Sequence, residues 1–272
     1  ERGIPVFSYI PPSAWAWRKG RAKSCAALAD EIVAIFPHEL PPYEEAGANI
    51  SFVGNPLIDT VHAEMESEEA RIHFGIGAED VPILLMPGSR REEIERLLPP
   101  MLGAAKILAA KDSARRFFLP VAGGVDVTQI GRHLAASSVD VTLAYDARYA
   151  LMGIARAAIA TSGTVIMEAA IMGLPAVVLY RMSTLSYLIG RLLVDVPRFS
   201  LPNILVGETF ETELLQDAVQ PERIAEAMER IIADGADRDY VTERLAGAVA
   251  LLGEPHAARR VAEKILALAK RA

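Results

Sequence analysis

The chain has 272 residues, 51% of them hydrophobic, a formal net charge of −7 at pH 7 and a single cysteine, Cys25. That length permits one large or two medium domains, and the acidic balance excludes wholesale nucleic-acid binding, which needs a basic face. One cysteine excludes an internal disulfide framework, fits a reducing cytoplasm and reads as a buried structural thiol.

Strand and helix signals alternate from the start, the pattern of a parallel sheet covered by helices. The spacing predicts a strand over 4–10, a helix from about 17 to 29, a strand over 31–36, a helical 39–46 and a strand over 50–53. The chain opens on Glu1 almost directly into a strand, so the first elements of a larger fold are expected to be missing. Trp15 and Trp17 either cap the core or line an interdomain cleft. Arg18, Lys19, Arg21 and Lys23 beside them are either a solvated helix face or a contact for anionic headgroups or a substrate phosphate. Gly54-Asn55-Pro56 interrupts the alternation and a charged stretch over 61–71 lacks β character. A hinge there divides the chain into domains 1–60 and 61–272, the closing helices belonging to the second.

The second series begins near Pro82: a strand, a long helix to about 110 broken at Pro99-Pro100, a strand over 116–121, a helix over 128–136 and a strand over 141–145. A helix over 147–153, a strand over 157–160, a helix over 165–172 and a strand over 176–180 follow. Residues 184–194 read as a helix with Leu185, Leu188, Leu192 and Leu193 on one side, packed on the sheet or turned to lipid or a partner. Leu201-Pro202-Asn203-Ile204 reads as extended backbone that holds the Asn203 amide in one direction. Helices from Pro221, Arg238 and Pro255 close the chain. Every long apolar run is broken within about 18 residues, so no membrane span or signal peptide is expected. The mean hydropathy of +0.24 still hints at apolar surface meeting lipid or a partner.

Two strand-to-helix turns carry chemistry. After the apolar 157–160 run come Thr161-Ser162-Gly163-Thr164 and then a buried helix. The first N–H groups of such a helix have no partner within it and sit at the positive end of its dipole, where a phosphate fits. Ser162, Gly163 and Thr164 suit close approach, and Glu168 is a charge in an otherwise apolar helix whose burial needs polar partners such as sugar hydroxyls. An ordinary capped helix with a salt-bridged Glu168 is the alternative. In Pro87-Gly88-Ser89-Arg90 the turn carries a permanent positive charge that suits a diphosphate, or a surface pair with Glu92 or Glu93. Two such turns at the carboxyl ends of strands point to one shared crevice.

No Gly-x-Gly-x-x-Gly fingerprint and no Walker lysine are present, which argues against a dinucleotide oxidoreductase and against ATP hydrolysis. His38, His62, His73, His133 and His256 are scattered without ligand spacing, so no metal and no cofactor are expected. A nucleoside-diphosphate sugar fits best.

Several segments together resemble one family: Tyr9-Ile10-Pro11-Pro12-Ser13-Ala14-Trp15-Ala16-Trp17-Arg18, Phe52-Val53-Gly54-Asn55-Pro56-Leu57, Leu85-Met86-Pro87-Gly88-Ser89-Arg90, Ser162-Gly163-Thr164 through Glu168, and Ser200-Leu201-Pro202-Asn203-Ile204-Leu205. In order and spacing they are similar to lipid-A-disaccharide synthases. The resemblance implies an α/β fold of GT-B type, with two Rossmann-like domains built on parallel sheets, the N-terminal one incomplete here. It implies a hexosyltransferase that moves 2,3-diacylglucosamine from UDP-2,3-diacylglucosamine to 2,3-diacylglucosamine 1-phosphate. The products are the β-1,6-linked lipid A disaccharide 1-phosphate and UDP. Arg90, Glu168 and Asn203 fall on its UDP-binding positions, with Ser162, Gly163 and Thr164 at the diphosphate. A homodimer and peripheral contact with the inner face of the cytoplasmic membrane of a Gram-negative bacterium are also implied. The family's proposed catalytic histidine and aspartate lie upstream of Glu1, so the chain alone is expected to bind UDP without turnover. Asp140, Asp146 and Asp195 are candidate bases by residue type only. The family's Gly-His-Pro stands here as Gly54-Asn55-Pro56. Other readings are a different UDP-N-acetylhexosamine enzyme of GT-B type and a non-catalytic nucleotide-sugar-binding module.

Overall fold

A computed structural model describes residues 4–14, 20–183 and 197–270. Trp15, Trp17, Arg18 and Lys19, the expected helix over 184–194 and Asp195 therefore lie outside the described residues. The chain divides into two units, one holding residues 1–60 and 249–272, the other holding 61–184 and 198–248.

In the first unit β1 (Phe7–Tyr9), β2 (Glu31–Ala34) and β3 (Ile50–Phe52) form a parallel sheet in the order β1-β2-β3. β1 is shorter than its apolar run at both ends, β2 and β3 only at the C-terminal end, where the chain turns into a loop. β2 is buried throughout, and Ile32 packs with Ala14, Ala22 and Tyr43 in a small core that Cys25 flanks at intermediate exposure. The last helix, Ala257–Ala269, belongs to this unit rather than to the second domain as expected. The physical reason is a set of polar clasps that sequence distance hides. Asp59 accepts from the N–H groups of His256 (2.6 Å) and Ala257 (3.1 Å), capping that helix. Arg260 donates to the carbonyls of Val53 and Pro255, both at 2.6 Å, and of Glu254. Lys264 reaches Glu31 at 2.7 Å. Gly54, at φ 106°, has no room for a Cβ, which would lie 2.8 Å from Arg260 Nη2. Asn55 is fully buried, donating to the Ile35 carbonyl and accepting from Leu57 N–H, both at 2.9 Å.

The second unit is a six-stranded, all-parallel sheet in the order β6-β5-β4-β7-β8-β9. Its strands are β4 (Val81–Met86), β5 (Arg115–Pro120), β6 (Val141–Ala144), β7 (Ala157–Thr161), β8 (Ala176–Tyr180) and β9 (Glu213–Leu215). β9 is absent from the sequence expectations, three residues being too short for an alternating signal. β4, β7 and β8 are near-continuous apolar runs with both faces covered, as a central parallel sheet requires. The strand order reverses between β4 and β7, where Met86 pairs with Ala160. The turns that leave these two strands are therefore neighbours.

Two expectations fail here for identifiable reasons. The helix Arg91–Lys111 runs unbroken through Pro99 and Pro100. Each proline removes a backbone hydrogen bond at a cost of about 3 kcal/mol. Burial of Ile94, Leu97, Leu98, Met101, Leu102 and Leu108 offsets it, each such side chain contributing roughly 1.5–3 kcal/mol. The Leu201–Val206 segment is a helix, not extended backbone, since Pro202 occupies its first turn, where its missing N–H costs nothing.

Candidate functional site

The turns after β4 and β7 line a single cavity of about 410 Å³, bordered also by the β5 end at Pro120–Ala122 and by Arg148, Met152 and Glu168. Five residues singled out in the sequence thus meet there: Arg90, Ser162, Gly163, Thr164 and Glu168.

The 161–164 turn leads into the helix Thr164–Ile171. Gly163 at its N-cap is extended (φ 168°, ψ −165°) and offers no side-chain cap, so the leading N–H groups are left to an external acceptor. Among the described residues, no atom other than those of Gly163 and its chain neighbours lies within 4 Å of where a Gly163 Cβ would sit. Space there suits a ligand brought close to the backbone. Ser162 differs from expectation: its N–H bonds to the Leu179 carbonyl (2.9 Å) and its hydroxyl donates to the Phe199 carbonyl (2.8 Å). Both of its donors are committed, so Ser162 fixes the turn rather than donating to an anion.

Gly88 has φ 103°, and a Cβ would run into the Glu93 carboxylate. Arg90 precedes the helix Arg91–Lys111 and pairs with Glu93 at 2.7 Å while its side chain stays 82% exposed. The guanidinium is therefore both beside the cavity and in the surface pair foreseen as its alternative. Such an exposed pair is worth under about 1 kcal/mol and yields readily to a phosphate.

Glu168 is buried, with Oε2 3.2 Å from Arg148 Nη2. The distance is that of an ion pair, but the geometry makes no hydrogen bond to Oε2, and among the described residues neither Oε2 nor the buried Thr161 hydroxyl has a hydrogen-bond partner. Two buried polar atoms lacking partners on one cavity wall are what a hydroxyl-bearing ligand would satisfy. Arg148 was not singled out in the sequence. It begins the helix Arg148–Ile154 directly after the β6 loop, donates to Tyr149 Oη (2.6 Å) and lies 4.6 Å over that ring. A strand-turn-helix order leads to Arg148 as it does to Arg90, but no glycine marks its turn.

Asn203 requires a correction. It does not line the cavity and is fully buried. Its Nδ2 donates to the Glu211 carbonyl (2.9 Å) and to Glu213 Oε1 (2.7 Å); its Oδ1 accepts from Phe210 N–H (3.1 Å) and Glu211 N–H (3.0 Å). The amide has no capacity left for a nucleotide. Beside it Glu211 accepts from Ala176 N–H and meets Ser200 Oγ at 3.0 Å, and burial pushes its carboxyl up to about 8. Of the candidate bases, Asp140 is exposed and Asp146 pairs with His73 at 3.1 Å with 67% of its side chain exposed. Neither lines this cavity.

A family profile described as Lipid-A-disaccharide synthetase matches residues 2–265. A lipid-A-disaccharide synthase from Syntrophus aciditrophicus is 42% identical over 272 residues, covering all of this chain and 71% of the relative. One from Myxococcus xanthus is 38% identical over 98% of this chain and 70% of its own length. Among solved structures, a UDP-GlcNAc 2-epimerase from Neisseria meningitidis bound to UDP-GlcNAc superposes with a TM-score of 0.65 at 16% identity, covering 97% of this chain and 70% of the other. The S. aureus MnaA-UDP co-structure gives 0.64 at 15% identity, covering 96% and 68%. These likenesses identify the fold as α/β of GT-B type.

Proposed function

This chain belongs to the lipid-A-disaccharide synthase family, and from that premise we propose that the cavity between the β4 and β7 turns holds the UDP of its sugar donor. The chain is a hexosyltransferase of lipid A biosynthesis by family. In this reading it transfers 2,3-diacylglucosamine from UDP-2,3-diacylglucosamine to 2,3-diacylglucosamine 1-phosphate, and UDP leaves.

The observation that carries the reading is the pairing of a helix N-terminus with an under-satisfied buried carboxylate in one cavity at the sheet's switch point. The N–H groups from Gly163 onward and the Arg90 guanidinium take the diphosphate. Charge grows on that group as the glycosidic bond breaks, and fixed donors stabilise it without reorganisation. Glu168 accepts from the ribose hydroxyls while Arg148 balances its charge. No residue of the cavity is assigned as the base that activates the acceptor hydroxyl. Among the described residues no helix is long and apolar enough to cross a membrane. Acylated substrates reside in a bilayer, so the reading includes peripheral contact with its inner face, and a homodimer as the working form.

Calorimetric titration of UDP and UMP into the chain and into Glu168→Ala tests it. UDP binding tighter than UMP, with both weakened in the variant, is the expected result. Equal affinity for the two nucleotides would remove the diphosphate from the β7 turn.

A further inference from the structure

The β7 turn is tied to side chains that do not line the cavity. Ser162 Oγ donates to the Phe199 carbonyl at 2.8 Å. The same peptide unit ends in the Ser200 N–H, which donates to Glu213 Oε1 at 2.9 Å. Glu213 Oε2 accepts from Phe199 N–H at 2.9 Å, and Oε1 also accepts from Asn203 Nδ2 at 2.7 Å.

We propose that Glu213 is a positioning residue for the diphosphate turn, acting through the Phe199–Ser200 peptide on the Ser162 hydroxyl. The inference rests on the nucleotide reading given above, and the geometry makes the link rigid. A peptide is planar, so fixing its N–H on a carboxylate and its C=O on Ser162 leaves it little freedom. A charged acceptor on the N–H end also polarises the amide, making its carbonyl a stronger acceptor for Ser162. Ser162 is pinned on its other side by the ladder bond to Leu179. With N–H and hydroxyl both held, the following N–H groups of Gly163 and Thr164 are aimed before any ligand arrives, which spares the ordering cost at binding.

The acceptor must be a carboxylate. Three N–H donors converge on the two Glu213 oxygens, and a carboxamide would turn an NH₂ toward one of them. Glu213 stands on β9, which pairs with β8, so the sheet itself sets its position. Phe199, the residue between carboxylate and turn, packs on the core with its ring 5.9 Å from Tyr180.

The test compares Glu213→Gln, Ser162→Ala, the double variant and Ser162→Thr. UDP affinity is read by calorimetry, and amide hydrogen exchange over 161–166 is read without ligand. Each single variant is expected to weaken UDP about tenfold, the order of one hydrogen bond, and to speed exchange at 163–165. The double variant should match the weaker single, and Ser162→Thr, which keeps the hydroxyl, should bind UDP more tightly than Ser162→Ala does. Multiplying effects in the double variant, or parental exchange and affinity in Glu213→Gln, overturn the proposal. If the parent binds no UDP, the nucleotide reading fails and the exchange arm alone decides the brace. Should Glu213→Gln not fold, Glu213→Asp keeps the charge at shorter reach and is expected to raise exchange at 163–165; parental exchange there would equally overturn the link.

Discussion

Glu168 and Arg148 face each other across 3.2 Å at the cavity wall, close enough to pair yet not aligned to hydrogen-bond through Oε2. The carboxylate is buried and the arginine is half exposed, so the acid cannot leave while the base can turn. In the proposed reading, a ribose hydroxyl entering the cavity would find an acceptor already desolvated and charge-balanced. Truncating Glu168 to Ala is therefore expected to lower affinity for UDP and UMP alike by about 10- to 100-fold, the worth of one or two hydrogen bonds to a charged group. Arg148→Ala leaves a buried carboxylate without its cation and should weaken both nucleotides too, with a double variant milder than the product of the singles. Calorimetry on the four proteins reads this, and additive losses would mean that the two side chains serve different ligand groups.

The β4 turn makes a separate demand. Gly88 holds φ 103° against the Glu93 carboxylate, and Glu93 in turn pairs with Arg90 and accepts from its N–H at 3.3 Å. Gly88→Ala would strain the backbone by about 1 kcal/mol or more and push Glu93 aside, moving Arg90 with it. UDP affinity should fall more than UMP affinity, since in the proposed reading the guanidinium serves the second phosphate. Equal losses for the two nucleotides would show that Arg90 does not discriminate them.

What the sequence made legible was local. Strand-turn-helix order placed Gly88, Arg90 and Ser162 to Thr164 at strand ends, and parallel-sheet topology brought those ends together. What it hid was set by distant partners. Pro202 suits both an extended segment and a first helical turn, and only Glu211 and Glu213, eight and ten residues on, decide for the helix by taking up Asn203. Arg148 was overlooked because Ala147, at φ 44°, makes its turn without a glycine to mark it. The C-terminal helix joins the first unit through Asp59 and Arg260, contacts spanning about two hundred residues that no local pattern carries.

The saturated amide of Asn203 changes what its removal should do. Four hydrogen bonds end on it, three of them buried, and Asn203→Ala strands the N–H groups of Phe210 and Glu211. Each stranded buried donor costs about 1–3 kcal/mol, so a loss of roughly 3–5 kcal/mol is expected, read as a lower midpoint in urea. Asn203→Asp keeps the acceptor side but sets a carboxylate against Glu213, and should be destabilising as well. An Asn203→Ala protein with parental stability and lost UDP binding would return this residue to the cavity.

Glu211 supplies a pH test with a defined sign. Burial raises its carboxyl to about 8 from an ordinary 4.5, opposed by the bonds from Ser200 and Ala176 and aided by the nearby Glu213 charge. Between those two values the folded protein holds a proton that the unfolded chain has released. The stabilisation is therefore complete below pH 4.5 and is lost as pH rises toward 8, with a slope of at most about 1.4 kcal/mol per pH unit from this one group. Glu211→Gln keeps a neutral, hydrogen-bonding side chain that cannot ionise. Unfolding followed in urea from pH 5 to 8.5 should show the parent losing stability relative to this variant, and parallel curves would mean that Glu211 is already ionised in the folded state.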